Sequence, residues 1–365
     1  MRLELDYTRI EKLHIFLDLF EGLDYERKSK LMSLYSDPLE ILTNFNKDQK
    51  IKEILGGVYA KIEKCFNSEF VNSQIESYNK KGIKIVTISS SDYPENLKRL
   101  FKPPFVLYCL GDISLLNSKC ISIVGSRDIS KNAKSVTGFF AGELSRHGLT
   151  IVSGMARGAD TAAHNGALSA NGKTIAVLAG GFDNIYPAEN YELFKTICKC
   201  GLVISENKPD AKNLPYMFLI RNRIVAGLSC GLLVTYANLS SGTQSTVEYA
   251  LEMGMDLYIL PGDVSAKESM GSNQMLKATA GALVTEPEDI LKNLNVEYQV
   301  RQNTEIVIED CENEILQILG LEKIHYSGII NKLNMDTGAL NAALSKMEIK
   351  GLIVKLAGNF YKAKV

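Results

Sequence analysis

The chain has 365 residues, a formal net charge of −1, 45% hydrophobic and 23% charged residues, the balance of an ordinary folded protein of two or three domains. No run of about 18 apolar residues offers a membrane span, Met1-Arg-Leu-Glu-Leu-Asp6 lacks the apolar stretch of a signal peptide, and seven scattered cysteines show neither a zinc spacing nor a disulfide framework. Reduced thiols, a cytoplasmic location and no metal or cofactor are therefore expected, and any basic surface must be local.

Residues 1–75 read as a small helical domain, with apolar residues at helical spacing over 10–19 and 31–45. Leu19-Phe-Glu-Gly22-Leu-Asp24 is similar to the turn of a helix-hairpin-helix, with Asp24 where a second glycine would stand. Packing is expected there rather than DNA contact. Residues 76–298 form the second predicted domain. It opens with a strand over 83–88. Pro103-Pro104 before Phe-Val-Leu-Tyr108 reads as an extended edge segment or a packing strap.

From Cys120 to Leu294 strand-like runs alternate with helical ones. The runs are 121–124, 150–152, 174–178, 202–205, 231–235, 257–260 and 282–284. That order predicts an α/β fold, an extended Rossmann-like and mostly parallel sheet with right-handed crossovers. Ligands on such sheets bind beyond the strand carboxyl ends, at the switch point. Glycine turns cluster at those ends: Gly125, Gly154, Gly180-Gly181, Ser241-Gly242-Thr243 and Gly262. A polar spacer, 293–304, leads to a third domain, 306–365. Helical spacing over 308–319, 326–333 and 337–349, then a hairpin at Gly358-Asn359, predicts a winged helix. Its last helix has only Lys346 and Lys350 near it, with Glu348 between. A protein-contact or regulatory role is expected there rather than a grip on duplex DNA.

Two apolar runs organise the middle of the chain. One ends in Gly125-Ser126-Arg127, the other in Gly154-Met-Ala-Arg157-Gly158-Ala-Asp160. Each predicts a strand, a glycine turn and a helix whose free N–H groups and dipole suit an anion. Arg127 and Arg157 add charge. Neither turn has the Gly-x-Gly-x-x-Gly or Gly-Lys-Ser/Thr spacing, which argues against a NAD oxidoreductase or an NTPase.

Phe218-Leu-Ile-Arg221-Asn222-Arg223 precedes an apolar helix at 224–228. Arginines and an amide suit phosphates, and the aromatic suits an unpaired base; solvated arginines beside a core phenylalanine are the plainer alternative. Ser241-Gly242-Thr243 can be a second anion nest, a helix cap, or both. Asp160 and His164, one helical turn apart, read as a hydrogen-bonded pair holding a loop. No nucleophile pairs with a base, so no catalytic residue is expected.

Together these pieces closely resemble the DNA-processing protein A family (DprA, also called Smf) over residues 92–290. The shared pattern runs through Asp92-Tyr-Pro94, Pro103-Pro104, Val124 to Arg127, Val152-Ser-Gly154, Ala156-Arg-Gly158 and Asp160 to His164. It continues through Tyr186-Pro187, Ile204-Ser-Glu206, Phe218, Arg221 to Leu228, Ser241-Gly-Thr243, Pro261-Gly262 and Gly271-Ser-Asn273. The resemblance implies a single-stranded DNA binder that delivers the strand to a RecA-type recombinase in natural transformation, and a homodimer. By motif position it implies that Arg127 meets the phosphate backbone, Phe218 meets a base, and Arg221 and Arg223 border the same basic pocket. The DNA-binding residues it marks out are Gly125, Ser126, Arg127, Gly154, Arg157, Phe218, Arg221, Asn222, Arg223, Ser241, Gly242 and Thr243.

Four positions depart from the family pattern. Ala188 stands where many members carry a basic residue and Pro215 where some have lysine, which implies weaker DNA affinity. Thr235-Tyr236 replaces Glu-Ala. Leu219 replaces a proline, which is expected to relax its loop. The alternative function is an enzyme on a nucleotide-like ligand. The same Rossmann branch resembles phosphoribohydrolases with a Pro-Gly-Gly-x-Gly-Thr-x-x-Glu loop. The nearest match, Ser241 to Glu248, lacks the third glycine and the spacing to the glutamate, which favours binding over hydrolysis.

Overall fold

Short, largely apolar runs buried on both faces can be satisfied only between two layers, and among the described residues nine strands form one sheet. They are β1 Lys84–Thr87, β2 Val106–Gly111, β3 Cys120–Val124, β4 Thr150–Ser153, β5 Thr174–Leu178, β6 Leu202–Ser205, β7 Gly231–Val234, β8 Asp256–Ile259 and β9 Ala282–Leu283. The order across the sheet is β1-β2-β6-β5-β4-β3-β7-β8-β9. From β6 to β9 all neighbours are parallel, whereas β1 and β2 join antiparallel. The structure is a computed structural model and describes residues 7–239, 241–278, 281–296, 310–320, 322–333, 335–349 and 352–363.

Chain order runs outward from β3 to β6 on one side, then returns to β7 beside β3 and runs outward again. The switch point therefore lies between β3 and β7. Alternate residues of β3 serve two cores. Ile121 and Ile123 pack with Phe140 and Leu144 of the Lys131–Arg146 helix. Cys120 and Val124 pack with Ile224 and Val225 of the Pro215–Gly227 helix.

Two expectations about the N-terminal half change. The Pro103-Pro104 segment does not lead to an edge, because β2 lies between β1 and β6. The prolines precede the first paired residue, so no ladder bond is lost. The helices of residues 1–75, expected as a domain of their own, fall within one compact unit, Met1–Tyr298. Their Leu13, Phe16, Ile62 and Ile75 share an apolar cluster with Val106, Tyr108, Ala176 and Val203 of the sheet. Asp24 caps the Tyr25–Met32 helix by accepting from Arg27 N at 2.9 Å.

The second unit is Gln299–Val365. Helices Asp310–Leu319, Tyr326–Lys332 and Thr337–Ile349 join a sheet ordered β10-β12-β11, with β10 Ile324–His325, β11 Ile353–Leu356 and β12 Phe360–Ala363. Leu340, Leu344 and Met347 of the last helix are buried with Ile315, Ile329 and Tyr361. This is a winged helix. Residues 308 and 309, Lys350 and most of the 293–304 spacer lie outside the described residues.

Candidate nucleic-acid interface

The carboxyl ends of β3, β4 and β7 surround a cavity of about 340 Å³. Gly125, Ser126 and Arg127 enter it from β3, Gly154 from β4, and Ser241, Gly242 and Thr243 from the loop after β7. The Pro215–Gly227 helix covers it with Phe218, Leu219, Arg221, Asn222 and Val225. Ten of the twelve residues marked out by the sequence line this one cavity; Arg157 and Arg223 do not.

Glycine is required where the turns meet. A Cβ on Gly125 would stand 2.7 Å from the Ala159 Cβ and 2.7 Å from the Tyr236 carbonyl oxygen. Gly158 has φ +74°, and a Cβ there would meet the Ser126 carbonyl at 2.4 Å. The two turns are thus stitched together, with Ala159 N donating to Ser126 O at 3.2 Å. Ser126 is buried and fastens the loop beyond β7. Its N–H donates to Tyr236 O at 2.6 Å, and its Oγ accepts from Asn238 N at 2.9 Å.

Arg127 is exposed at the rim. Its guanidinium lies 5.5 Å from the centroid of the Phe218 ring, a cation–π distance. Tyr186 meets Phe218 edge-on, with centroids 5.5 Å apart. Phe218 is half-buried, so part of its ring is accessible beside a cation. Asn222 donates through Nδ2 to Ser245 Oγ at 2.9 Å and to Gly242 O at 3.3 Å, joining the helix to the Ser241–Thr243 turn. That turn closes on itself, with Thr243 N donating to Ser241 Oγ at 3.2 Å.

Arg221 has a different place from the one expected. It is inside the protein, where its Nη1 donates to Gly154 O at 2.7 Å and also to Val177 O. Burial lowers its pKa to about 10, against the pull of Asp160. Asp160 is buried too, and its carboxyl is pushed up by burial against the pull of Arg221. Its Oδ2 accepts from Ala156 N at 3.1 Å. Arg221 thus braces β4 and β5 within electrostatic reach of Asp160, with its edge at the cavity floor. Gly154 is the residue that leaves it room, since a Cβ there would meet the guanidinium at 2.5 Å.

Arg223 pairs with Glu206 through Nη2, at 2.6 and 2.7 Å to the two carboxylate oxygens. It lines a separate cavity on the other side of the helix, which Arg221 also borders. Helix phase explains this. Residues 218, 221, 222 and 225 share one face at spacings of three and four, whereas 216, 220, 223 and 224 share the opposite one. The Arg-Asn-Arg segment lies within the helix rather than before it. Leu219 is therefore a helical residue, and no loop is relaxed by its replacing a proline. Pro215 opens the helix at its first turn, where a missing N–H costs nothing.

Two further readings are corrected. Asp160 and His164 do not bond to each other. The His164 Nδ1 pairs with Thr174 Oγ1 at 2.7 Å, and burial depresses the ring's pKa to about 3. The helix after Gly125-Ser-Arg begins only at Lys131, and a carboxylate already occupies its N-terminus. Glu268 accepts from Ser130 N at 2.5 Å and from Ser130 Oγ at 2.7 Å. Arg157 is exposed and pairs with Glu189 at 2.9 Å. With Arg127, Tyr186 and Phe218 it lines a smaller recess of about 260 Å³ next to the main cavity. Thr246, part of the family pattern, also lines the cavity, and so do Asp128 and Asn238, which were not singled out. Asp128 follows Arg127 directly, and that adjacency was the available signal; Tyr186 was legible as part of Tyr186-Pro187 but without a role.

Comparison with known proteins bears on what this site serves. The family model described as DNA recombination-mediator protein A matches residues 84–295, and the DprA winged helix domain model matches residues 302–359. The chain is 35% identical over 272 residues to the DNA processing protein DprA of Bacillus subtilis, covering 73% of this chain and 88% of the relative. A crystal structure of DNA processing protein A from Streptococcus pneumoniae superposes with TM-score 0.66 at 30% identity, covering 79% of this chain and 98% of that one. A second, concerned with the single-stranded DNA binding mode of DNA processing protein A from Helicobacter pylori, gives TM-score 0.53 at 31% identity over 58% of this chain and 96% of that one.

Proposed function

The chain belongs to the DNA recombination-mediator protein A family, and from that premise we propose that its cavity between β3 and β7 binds single-stranded DNA for delivery to a RecA-type recombinase. The observation that carries the reading is the exposed Arg127 guanidinium poised over the half-exposed Phe218 ring. A phosphate and its neighbouring unpaired base need a cation and a π-face side by side. A duplex hides its base faces, so this pair selects single strands. Homodimerisation, a cytoplasmic location and use in DNA uptake belong to the same proposal and rest on the family. Among the described residues no helix is long and apolar enough to cross a membrane.

The geometry gives the phosphoribohydrolase alternative little support. Glu248, the nearest match to a catalytic glutamate, is exposed on the Thr243–Glu252 helix and does not line the cavity. The acids that do are Asp128 and Asp160. Asp160 is buried and already accepts from Ala156 N.

Arg127→Ala is expected to weaken single-strand binding for all base sequences alike. The log–log salt slope should fall by about 0.7, the value of one phosphate contact on a single strand. Wild-type affinity and slope in a fluorescence titration would remove Arg127 from the interface. The winged helix is expected to be dispensable for this binding. Leu340, Leu344 and Met347 are spent on its own core, which leaves its last helix little surface for a groove. A chain ending near Thr304 should bind the same oligonucleotide within about tenfold of the full chain; a larger loss in a folded truncated protein would contradict this.

A further inference from the structure

A second basic groove adjoins the cavity. It has a volume of about 820 Å³ and runs between the Lys131–Arg146 and Ala159–Ser169 helices. The two helices touch backbone to backbone, since a Cβ on Gly166 would stand 2.2 Å from the Gly138 carbonyl oxygen. Gly138, Gly142 and Gly166 form its floor, so the groove is open where larger residues would fill it. Lys131, Lys134, Gly138, Gly142 and Arg146 follow one another at spacings of three and four and face it together. The walls carry five cations, Arg127, Lys131, Lys134, Arg146 and Arg157, against two carboxylates, Asp128 and Glu189.

The cations are not equivalent. Arg157 is paired with Glu189, and Arg146 with Glu143. No ion pair joins Arg127, Lys131 or Lys134 to a carboxylate among the described residues. Phe139 stands at the groove with 55% of its surface exposed, whereas its neighbour Phe140 is buried. Arg127 and Asp128 line both the cavity and the groove, so the two form one continuous surface.

We propose that the groove between the Lys131–Arg146 and Ala159–Ser169 helices is a second segment of the single-strand track, in which Lys131 and Lys134 hold phosphates and Phe139 stacks a base. The proposal rests on the reading of the cavity as a single-strand site and extends it. A strand leaving Phe218 passes Arg127 and enters the groove without crossing a carboxylate other than Asp128. The Lys131–Arg146 helix is about 24 Å long, which is room for several nucleotides beyond the one at Phe218. Free cations spaced one turn apart with an aromatic interleaved are the arrangement that grips a strand without reading its sequence.

The test uses the full chain with oligothymidylates of two lengths, one of about six nucleotides and one of about twenty. The double variant Lys131→Ala/Lys134→Ala changes only exposed side chains. It should bind the long strand roughly fivefold or more weaker, with a salt slope lower by about 1.4 for two lost phosphate contacts. The short strand, held in the cavity, should be affected less. Phe139→Ala should repeat the loss for the long strand with an unchanged salt slope. Wild-type affinity and slope for the long strand in both variants would overturn the proposal. So would a loss that follows a change in sedimentation, which would make the groove a contact between copies of the chain. Arg127→Ala separates the two readings: if it weakens both strands while the lysine variant weakens neither, the cavity stands and the groove falls.

Discussion

Arg221→Ala is expected to destabilise the first unit by roughly 1–3 kcal/mol, the usual cost of leaving buried hydrogen-bonding groups without their partner. The substitution strips the bonds to the Gly154 and Val177 carbonyls. It also leaves the buried Asp160 carboxylate without its counter-charge. The deficit should shrink on acidification, because Asp160 can then take up a proton and shed the uncompensated charge. The measurement is a chemical denaturation midpoint for wild type and variant at neutral and mildly acidic pH. Equal midpoints at neutral pH would show that Arg221 is no brace. An Arg221→Ala protein that is stable but fails to bind DNA would return the residue to the role its motif position implies.

Phe218→Ala is expected to cost roughly 1–3 kcal/mol of single-strand affinity, the range for one lost base stack. Duplex affinity should hardly change, since paired bases offer no free face. The fold should survive, because Phe218 is half-buried at the rim and its ring contacts are to Tyr186 and Arg127. Near-UV circular dichroism and a melting curve establish that the variant is folded before titration. A folded variant with wild-type affinity would put the ring outside the interface, whereas an unfolded one would put it in the core.

The sheet was legible because its strands are continuous apolar runs between turn residues. The runs at 174–178 and 202–205 match β5 and β6 residue for residue, and the others differ from their strands by a residue or two at an end. What the sequence hid was depth. Arg127, Arg221 and Arg223 are the same side chain near the same motifs. One lies at the rim, one beneath the floor and one on the far face of a helix. Separating them requires the phase of the Pro215–Gly227 helix, and the reading that began it at Ile224 removed that phase. Long-range pairings were equally invisible. Glu268 caps the Lys131–Arg146 helix from 138 residues away, bonding the Ser130 amide and hydroxyl, so a carboxylate already stands where an anion was expected. The cavity's charge then comes from Arg127, with Arg221 below it.

The central claim is that this cavity prefers an unpaired strand held by phosphates and a stacked base. A salt titration of the full chain against single- and double-stranded oligonucleotides of the same sequence tests it most directly. The account predicts tighter binding of the single strand at every salt concentration, with a steep log–log slope that falls by about 0.7 in Arg127→Ala. Equal affinity for the two forms, or a slope indifferent to both salt and Arg127, would contradict it.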